Sequence, residues 1–138
     1  MPDRTWSPVF LAADVPLPVG AYSPAVHAGD FLYVSGQVPR DPRTGEMIGA
    51  TVEAQAAQVI ANLREVLAAA GAKLEDVVSA TIYLANEDDW SAVNEIWKST
   101  FEAPYPSRTT VGAQLRGFLI EISVVAYKPQ RRANYGFG

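Results

Sequence analysis

Arg108 and Glu121 are the two side chains best suited to chemistry on a small acidic molecule. Arg108 follows Tyr105-Pro106-Ser107 at the start of an extended segment, and a guanidinium there can bind a carboxylate through two parallel hydrogen bonds. Glu121 lies in the middle of a predicted strand, where a buried carboxylate needs a polar partner. Each also has a simpler interpretation. Arg108 could be a solvated surface residue, and Glu121 could form a salt bridge between subunits. As a pair they indicate acid binding beside a positioned water.

Three further positions are candidates for a binding site. Tyr22 lies in a proline-rich, irregular segment at residues 12–24, and its phenol could donate a hydrogen bond at a pocket mouth or pack as an aromatic anchor. Ser35-Gly36-Gln37 ends a predicted strand, where a glycine either lets a ligand approach the backbone or marks a bulge. Asn94 falls between two tryptophans on the apolar face of a predicted helix, and we interpret it as a structural residue that bonds to backbone.

The composition excludes several other kinds of chemistry. The 138 residues contain no cysteine and one histidine, His27. Thiol nucleophiles, disulfides and cysteine-based metal centres are therefore excluded, and His27 has no second histidine or thiol at metal-ligand spacing. We expect no metal and no cofactor. The 11 basic and 15 acidic residues give a net charge of −4, so we also expect no nucleic-acid partner.

The length and the ends of the chain lead to further expectations. Apolar stretches are far shorter than the ~20 residues of a membrane span, and Met1-Pro2-Asp3-Arg4 lacks the layout of a secretory signal. We therefore expect no membrane association and a cytoplasmic location. One domain is predicted over residues 1–128, followed by a flexible tail at 129–138. Arg131-Arg132 is interpreted as part of that tail and not as a nucleic-acid contact.

Hydrophobic periodicity predicts the elements that position these residues. Strands are predicted at residues 25–28, 31–35, 77–84, 107–111 and 119–127, and helices at 52–70 and 90–101. Thr51 is the expected N-cap of the first helix and Gly71 its stop, while Asp88 or Asp89 should cap the second. Gly29-Asp30 should form a hairpin turn. The order β-β-α-β-α-β-β is that of an α+β fold, a mixed sheet with both helices on one face.

Two helices can cover only one face of such a sheet. The helix-facing positions of the third predicted strand are apolar: Val78, Ala80, Ile82 and Leu84. The other face is mixed and is too apolar for an ordinary wet surface, with Ser79, Thr81, Tyr83, Leu119, Glu121, Ser123, Val125 and Tyr127. The pattern favours packing of this face against further copies of the chain. The alternative is a monomer with a half-solvated sheet.

Several segments together resemble the RidA/YjgF/UK114 family. The N-terminal signature is similar in Val19-Gly20-Ala21-Tyr22-Ser23-Pro24-Ala25-Val26, Val34-Ser35-Gly36-Gln37-Val38-Pro39 and Asp41-Pro42-Arg43-Thr44-Gly45-Glu46. Gln55, Asn62 and Leu63 fit the first helix, and Val93-Asn94-Glu95 the second. Pro106-Ser107-Arg108-Thr109-Thr110-Val111 and Ile120-Glu121-Ile122 resemble the C-terminal signature. No single motif is decisive, but their order and spacing across residues 18–127 are specific.

The resemblance implies a fold, an assembly and an activity. The family fold is a chorismate-mutase-like α+β domain, assembled as a barrel-like homotrimer with active-site clefts between subunits. The family hydrolyses reactive 2-imino acids, formed when pyridoxal-phosphate enzymes dehydrate serine or threonine, to 2-oxo acids and ammonia. By resemblance, Arg108 binds the substrate carboxylate and Glu121 orients the attacking water. Tyr22, Gly36 with the adjacent Ser35, and Thr110 would line the substrate pocket.

The chain departs from the family pattern in ways that affect substrate range more than the core reaction. Ala21 replaces a common proline, Pro24 a common glutamine and Thr110 a frequent cysteine, and the loop before residue 119 is short. Two other functions stay open. One is a non-catalytic ligand-binding or interaction protein on the same scaffold. The other is an endoribonuclease, an activity attached to some members, which the net charge of −4 disfavours.

Overall fold

A computed structural model describes residues 4–129 of the chain. Within that range lie six strands and two α-helices. Their bounds are β1 Ser7–Val9, β2 Ala25–Ala28, β3 Phe31–Gln37, α1 Val52–Ala69, β4 Val77–Leu84, α2 Trp90–Thr100, β5 Ser107–Gly112 and β6 Ile120–Tyr127. Short 3-10 helices at Leu74–Asp76 and Glu87–Asp89 lead into β4 and α2. The predicted tail lies, apart from Pro129, outside the described residues.

The strands form one open, mixed sheet in the order β1-β2-β3-β6-β4-β5. β4 and β5 run parallel and are joined through α2, whereas every other neighbouring pair is antiparallel. Strand β6 therefore lies near the centre between β3 and β4, and β5 forms an edge. The mixed α+β sheet with two helices is confirmed. The strands of residues 4–129 form no closed barrel, and the barrel-like trimer stays a prediction about an assembly.

The predicted signals at the ends of α1 are confirmed. The Thr51 hydroxyl accepts a hydrogen bond from the Ala54 amide at 3.2 Å, which satisfies one of the otherwise unpaired amides of the first turn. Beyond the helix, Gly71 has a φ of 79°, a backbone conformation that favours glycine and ends the helix. The apolar stripe of α1 packs on the sheet, and Val59, Leu63 and Leu67 are fully buried.

Three details of the sequence-based prediction are wrong. Strand β1 was not predicted, because three residues that include a proline carry almost no strand pattern. Val78 is 44% exposed instead of facing the helices, since a bulge between Val77 and Ser79 shifts the alternation by one residue. Neither Asp88 nor Asp89 caps α2 through its side chain, because the intervening 3-10 helix moves the cap to Asn86, whose Oδ1 accepts from the Asp88 amide.

The two faces of the sheet differ as predicted. Ile82, Ile120 and Ile122 lie beneath the helices and are at most 1% exposed. The opposite face keeps half-buried or exposed side chains, among them Tyr33 at 48% and Tyr127 at 43% exposure. No helix in the described part of the chain combines the length and apolar character needed to cross a membrane.

Candidate active site

Glu121 lies on the sheet face opposite the helices. Its neighbours on β6, Ile120 and Ile122, are buried under α1 and α2, and alternation along the strand turns Glu121 to the other side. Across the sheet it is in register with Tyr83 of β4. Partial burial raises the pKa of the Glu121 carboxyl above its ordinary value, because a less polar environment disfavours the charged form. A carboxylate with a raised pKa is a stronger base than an exposed one.

Gly36 provides the space that the Glu121 carboxyl occupies. It lies in a bulge of β3, where the pairing with β6 shifts register between Val34 and Gln37. A Cβ at Gly36 would lie 2.9 Å from Cδ and 3.2 Å from Cγ of Glu121, and closer still to Oε2. Any larger residue would therefore displace the carboxyl. The bulge interpretation of Gly36 is confirmed. The group that approaches its backbone within this chain is the Glu121 side chain, and approach of a ligand to Gly36 stays a prediction.

A cleft of about 490 Å³ opens over Glu121, and we call it the glutamate cleft. Its lining residues are Val19, Tyr22, Ser35, Gly36, Val38, Arg40, Arg116, Phe118 and Glu121. Tyr22 is 56% exposed at this site. The Ser35 hydroxyl donates a 2.7 Å hydrogen bond to the Ser23 carbonyl, so it holds the N-terminal segment against β3. The structure thus brings four of the sequence-predicted residues together: Tyr22, Ser35, Gly36 and Glu121.

Two buried polar side chains of α1 hold the walls of the glutamate cleft. Gln55 accepts a hydrogen bond from the Leu119 amide at 2.7 Å and donates to the Gly49 carbonyl at 3.0 Å, which fixes the start of β6 two residues before Glu121. Asn62 donates to the Val38 and Arg40 carbonyls at 3.0 and 2.8 Å. Because a buried polar group is costly unless it is hydrogen-bonded, these bonds hold the loops against α1 at the cleft.

Arg108 lies on the other face of the sheet, packed against α2. Its Nη1 donates a 3.0 Å hydrogen bond to Oδ1 of Asn94, and its guanidinium lies 5.4 and 5.6 Å from the ring centroids of Trp90 and Trp97. The two rings and the amide restrict the arginine to one orientation. Asn94 therefore bonds to a side chain and not to backbone, which corrects the sequence interpretation.

Thr110 shares this face with Arg108, two residues further along β5. The two residues are in register with Ile82 and Ala80 of β4. The Thr110 hydroxyl oxygen is buried and has no hydrogen-bond partner among the described residues. An orphaned buried hydroxyl is costly, so it marks a place where a further polar group fits. We call Arg108, Thr110 and Asn94 the arginine half-site.

One chain does not bring Arg108 and Glu121 together. Arg108 is directed to the helix side of edge strand β5, where it contacts Asn94 of α2, and Glu121 faces the opposite side of the sheet. Strand β4 separates the strands that carry them. The sequence-predicted residues thus form two groups, the glutamate cleft and the arginine half-site, and neither group contains the other's charged residue.

Arg40 and Arg116 are cleft residues that the sequence analysis did not single out. They lie on separate loops, after β3 and before β6, and only the fold brings them to one cleft. Arg40 lies between two segments that resemble the family signature, at 34–39 and 41–46, and that position was the available signal, whereas no motif quoted for the resemblance includes or adjoins Arg116. Across the described chain, no group of three or more His, Cys, Asp or Glu side chains has a metal-binding arrangement.

The family model, the related sequences and the solved structures all indicate the same family. Residues 12–128 match the sequence model of the family described as Endoribonuclease L-PSP. A RutC family protein of Saccharolobus solfataricus is 43% identical over 122 residues, 87% of this chain and 97% of the relative. A rat protein named 2-iminobutanoate/2-iminopropanoate deaminase is 39% identical over 120 residues, 86% and 88% of the two chains. The solved structure of RidA from an Antarctic Psychrobacter is 37% identical, with a TM-score of 0.77 over 85% of this chain and 97% of that one.

Proposed function

Because the chain belongs to the Endoribonuclease L-PSP family, which includes the RidA and YjgF proteins, we propose that it hydrolyses reactive 2-imino acids to 2-oxo acids and ammonia. Relatives at about 40% identity over most of the chain are named imine deaminases. The observation that carries the proposal is a half-buried carboxylate that lines a cleft, with a pKa raised by burial. Such a group accepts a proton from water more readily than an exposed glutamate does.

The active site in this proposal forms between copies of the chain. The arginine half-site and the glutamate cleft lie on opposite faces of one sheet, so Arg108 and Glu121 of one chain cannot act on the same substrate. A closed ring of copies would bring the arginine half-site of one copy over the glutamate cleft of the next. The exposed, mixed face of the sheet supplies apolar surface for such contacts. We propose a homotrimer, the assembly that the family resemblance implies.

In the proposed mechanism Arg108 binds the substrate carboxylate and Glu121 activates a water. The guanidinium, fixed by Asn94 and two tryptophan rings, offers its remaining donors as a fork to the carboxylate. The Thr110 hydroxyl, which has no hydrogen-bond partner within residues 4–129, donates a further hydrogen bond to the substrate. This binding places the imine carbon next to the water held at Glu121.

The reaction then proceeds by addition and elimination. The water oxygen forms a bond to the imine carbon, the C=N electron pair moves to nitrogen, and Glu121 accepts the proton that the water loses. Glu121 passes this proton to the nitrogen, which gives a neutral carbinolamine. Glu121 then accepts the carbinolamine hydroxyl proton while that oxygen forms the C=O bond, and it delivers the proton to the nitrogen as the C–N bond breaks, so that ammonia leaves and the carboxylate is restored. No electron transfer and no group other than water is required, so positioning and acid–base chemistry suffice.

The competing functions can be separated by experiment. A ligand-binding protein on the same scaffold would bind 2-oxo acids at the site without accelerating imine hydrolysis. An endoribonuclease would cleave RNA, and we expect no such cleavage because the net charge is −4 and nucleic-acid binding depends on basic surfaces.

The direct test couples an amino-acid oxidase to the protein. The oxidase generates 2-imino acids from several amino acids, and semicarbazide captures any imine that escapes hydrolysis. The proposal predicts less semicarbazone and faster ammonia release with the wild-type protein, and neither effect with Glu121→Gln. Binding of 2-oxo acids without any acceleration would contradict the enzyme proposal and support the ligand-binding alternative.

A further inference from the structure

Two arginines share the glutamate cleft with Glu121. Arg40 and Arg116 both line it, although they come from loops 76 positions apart in the chain. Neither guanidinium has a hydrogen-bond or ion-pair partner within residues 4–129. A nearby arginine does have partners. Arg43, three residues from Arg40, binds Asp14 at 2.8 Å and Glu65 at 2.9 Å.

The acidic residue next to Arg40 is already engaged elsewhere. Asp41 Oδ1 accepts hydrogen bonds from the backbone amides of Arg43 and Thr44 at 2.8 and 3.2 Å. It stabilises the turn and does not neutralise Arg40. The cleft therefore holds two guanidiniums and one carboxylate whose pKa is already raised by burial. This excess of positive charge lies in a concave site, where it interacts more strongly with an anion than on an open surface.

Both arginines are carried by backbone that is held in place. The Arg40 amide donates to the Val38 carbonyl at 2.7 Å, and its own carbonyl accepts from Asn62. Arg116 precedes Gly117, whose φ of 84° and 2.9 Å hydrogen bond to the Leu115 carbonyl define a tight turn. Because the loops are fixed, the two charges are presented to the cleft with little loss of backbone freedom on binding.

We propose that Arg40 and Arg116 select 2-imino acids that carry a second carboxylate on the side chain, the class of 2-iminosuccinate and 2-iminoglutarate. This inference rests on the proposed function. Arg108 of a neighbouring copy binds the carboxylate next to the imine, and the Arg40–Arg116 pair binds the side-chain carboxylate. A substrate with one carboxylate leaves Arg40 and Arg116 without an anion. A second carboxylate on the substrate side chain would accept charge-assisted hydrogen bonds from these two arginines.

The test compares two imines that differ in side-chain charge. D-Aspartate oxidase generates 2-iminosuccinate from D-aspartate, and D-amino-acid oxidase generates 2-iminopropanoate from D-alanine. The imine carbon is planar, so the configuration of the parent amino acid does not matter. We measure kcat/KM for both imines with the wild-type protein, Arg116→Gln, Arg40→Gln and the charge reversal Arg116→Glu. Arg64→Gln is the matched control, since Arg64 is exposed on α1 and is not among the residues that line the glutamate cleft.

The wild-type protein should prefer 2-iminosuccinate at low ionic strength. The ratio of the two kcat/KM values should fall roughly 10- to 100-fold in Arg116→Gln, the range for a hydrogen bond to a charged group. It should fall further in Arg116→Glu and stay constant in Arg64→Gln. Calorimetric titration with oxaloacetate and 2-oxobutanoate provides a second readout, in which oxaloacetate should bind more tightly and lose that advantage in Arg116→Gln.

Failure of this inference differs from failure of the proposed function. Hydrolysis of 2-iminopropanoate with no preference for 2-iminosuccinate, and equal binding of the two oxo acids, would overturn the inference and leave the function intact. An equal loss for both imines in Arg116→Gln would assign Arg116 to the shared carboxylate and also overturn it. Acceleration of neither imine would overturn the proposed function itself.

Discussion

Arg108 and Glu121 lie on opposite faces of one sheet and three residues apart along β4, the strand between them. Arg108 is in register with Ala80 and Glu121 with Tyr83. Each residue has its own supporting structure, an amide and two aromatic rings for Arg108 and a glycine bulge for Glu121. A site that uses both Arg108 and Glu121 therefore requires a second copy of the chain.

Replacing Arg108 should remove catalysis without removing the assembly. Arg108→Ala deletes the carboxylate-binding fork, and we expect it to abolish the acceleration of ammonia release from 2-iminopropanoate. Arg108→Lys keeps the charge but not the planar fork, so it should retain a small fraction of the activity. Coupled oxidase assays give the rates, and analytical ultracentrifugation gives the oligomeric state, which should match the wild type. Unchanged turnover in Arg108→Ala would exclude the carboxylate-binding role.

A side chain introduced at Gly36 should destabilise the protein because it would collide with Glu121. Gly36→Ala places a methyl group where the carboxyl now lies, and overpacking of this kind costs about 1–3 kcal/mol of folding free energy. In the background Glu121→Ala the same change should cost much less, because the colliding group is gone. Urea denaturation of the four variants of this double-mutant cycle measures the coupling. Additive losses would show that Gly36 is needed for a reason other than Glu121.

Removing the unpaired hydroxyl of Thr110 should lower the activity without lowering the stability. Thr110→Val replaces a buried oxygen without a partner by a methyl group of similar size, which should leave the free energy of unfolding unchanged or raise it by about 1 kcal/mol. If the hydroxyl donates to substrate, kcat/KM should nevertheless fall several-fold. Thermal denaturation and the imine assay test the two effects on the same protein. A stability loss with full activity would contradict this assignment.

The pH dependence of imine hydrolysis should reflect the raised pKa of Glu121. Burial raises its pKa, and the base must be ionised to act, so activity should decline on the acid side at a higher pH than for an ordinary glutamate. The acidic limb of kcat/KM for 2-iminopropanoate should therefore lie above the range of an ordinary glutamate in the wild type, and Arg64→Gln should leave it in place because Arg64 is not among the residues that line the cleft. A limb at or below the range of an ordinary glutamate would argue against Glu121 as the base.

Helix ends and tight turns could be predicted from the sequence, because each depends on one residue type and its close neighbours. Thr51 and Gly71 mark the ends of α1 because capping and a left-handed stop depend on neighbours within a few residues. The same holds for the hairpin at Gly29-Asp30, which joins β2 to β3 as expected. The bulge at Val78 could not be predicted, because a strand tolerates an extra residue without changing its composition.

The site was predicted less completely than the fold, for a physical reason. Tyr22, Gly36 and Glu121 belong to motifs whose order and spacing resemble a known family. Arg40 and Arg116 belong to no motif, and their convergence depends on how two loops pack against α1 and β6. The separation of Arg108 from Glu121 depends on alternation along neighbouring strands and on strand order, which residue spacing alone does not define.

The most direct test of the account mixes two inactive variants. Arg108→Ala and Glu121→Gln should each lack activity alone. When the two chains are unfolded together and refolded at equal amounts, random assembly should place an intact Arg108 over an intact Glu121 in about a quarter of intersubunit sites. A site shared between copies should restore up to about that fraction of wild-type imine hydrolysis. A mixed preparation of the same oligomeric state with no more activity than the separate variants would contradict a site shared between copies.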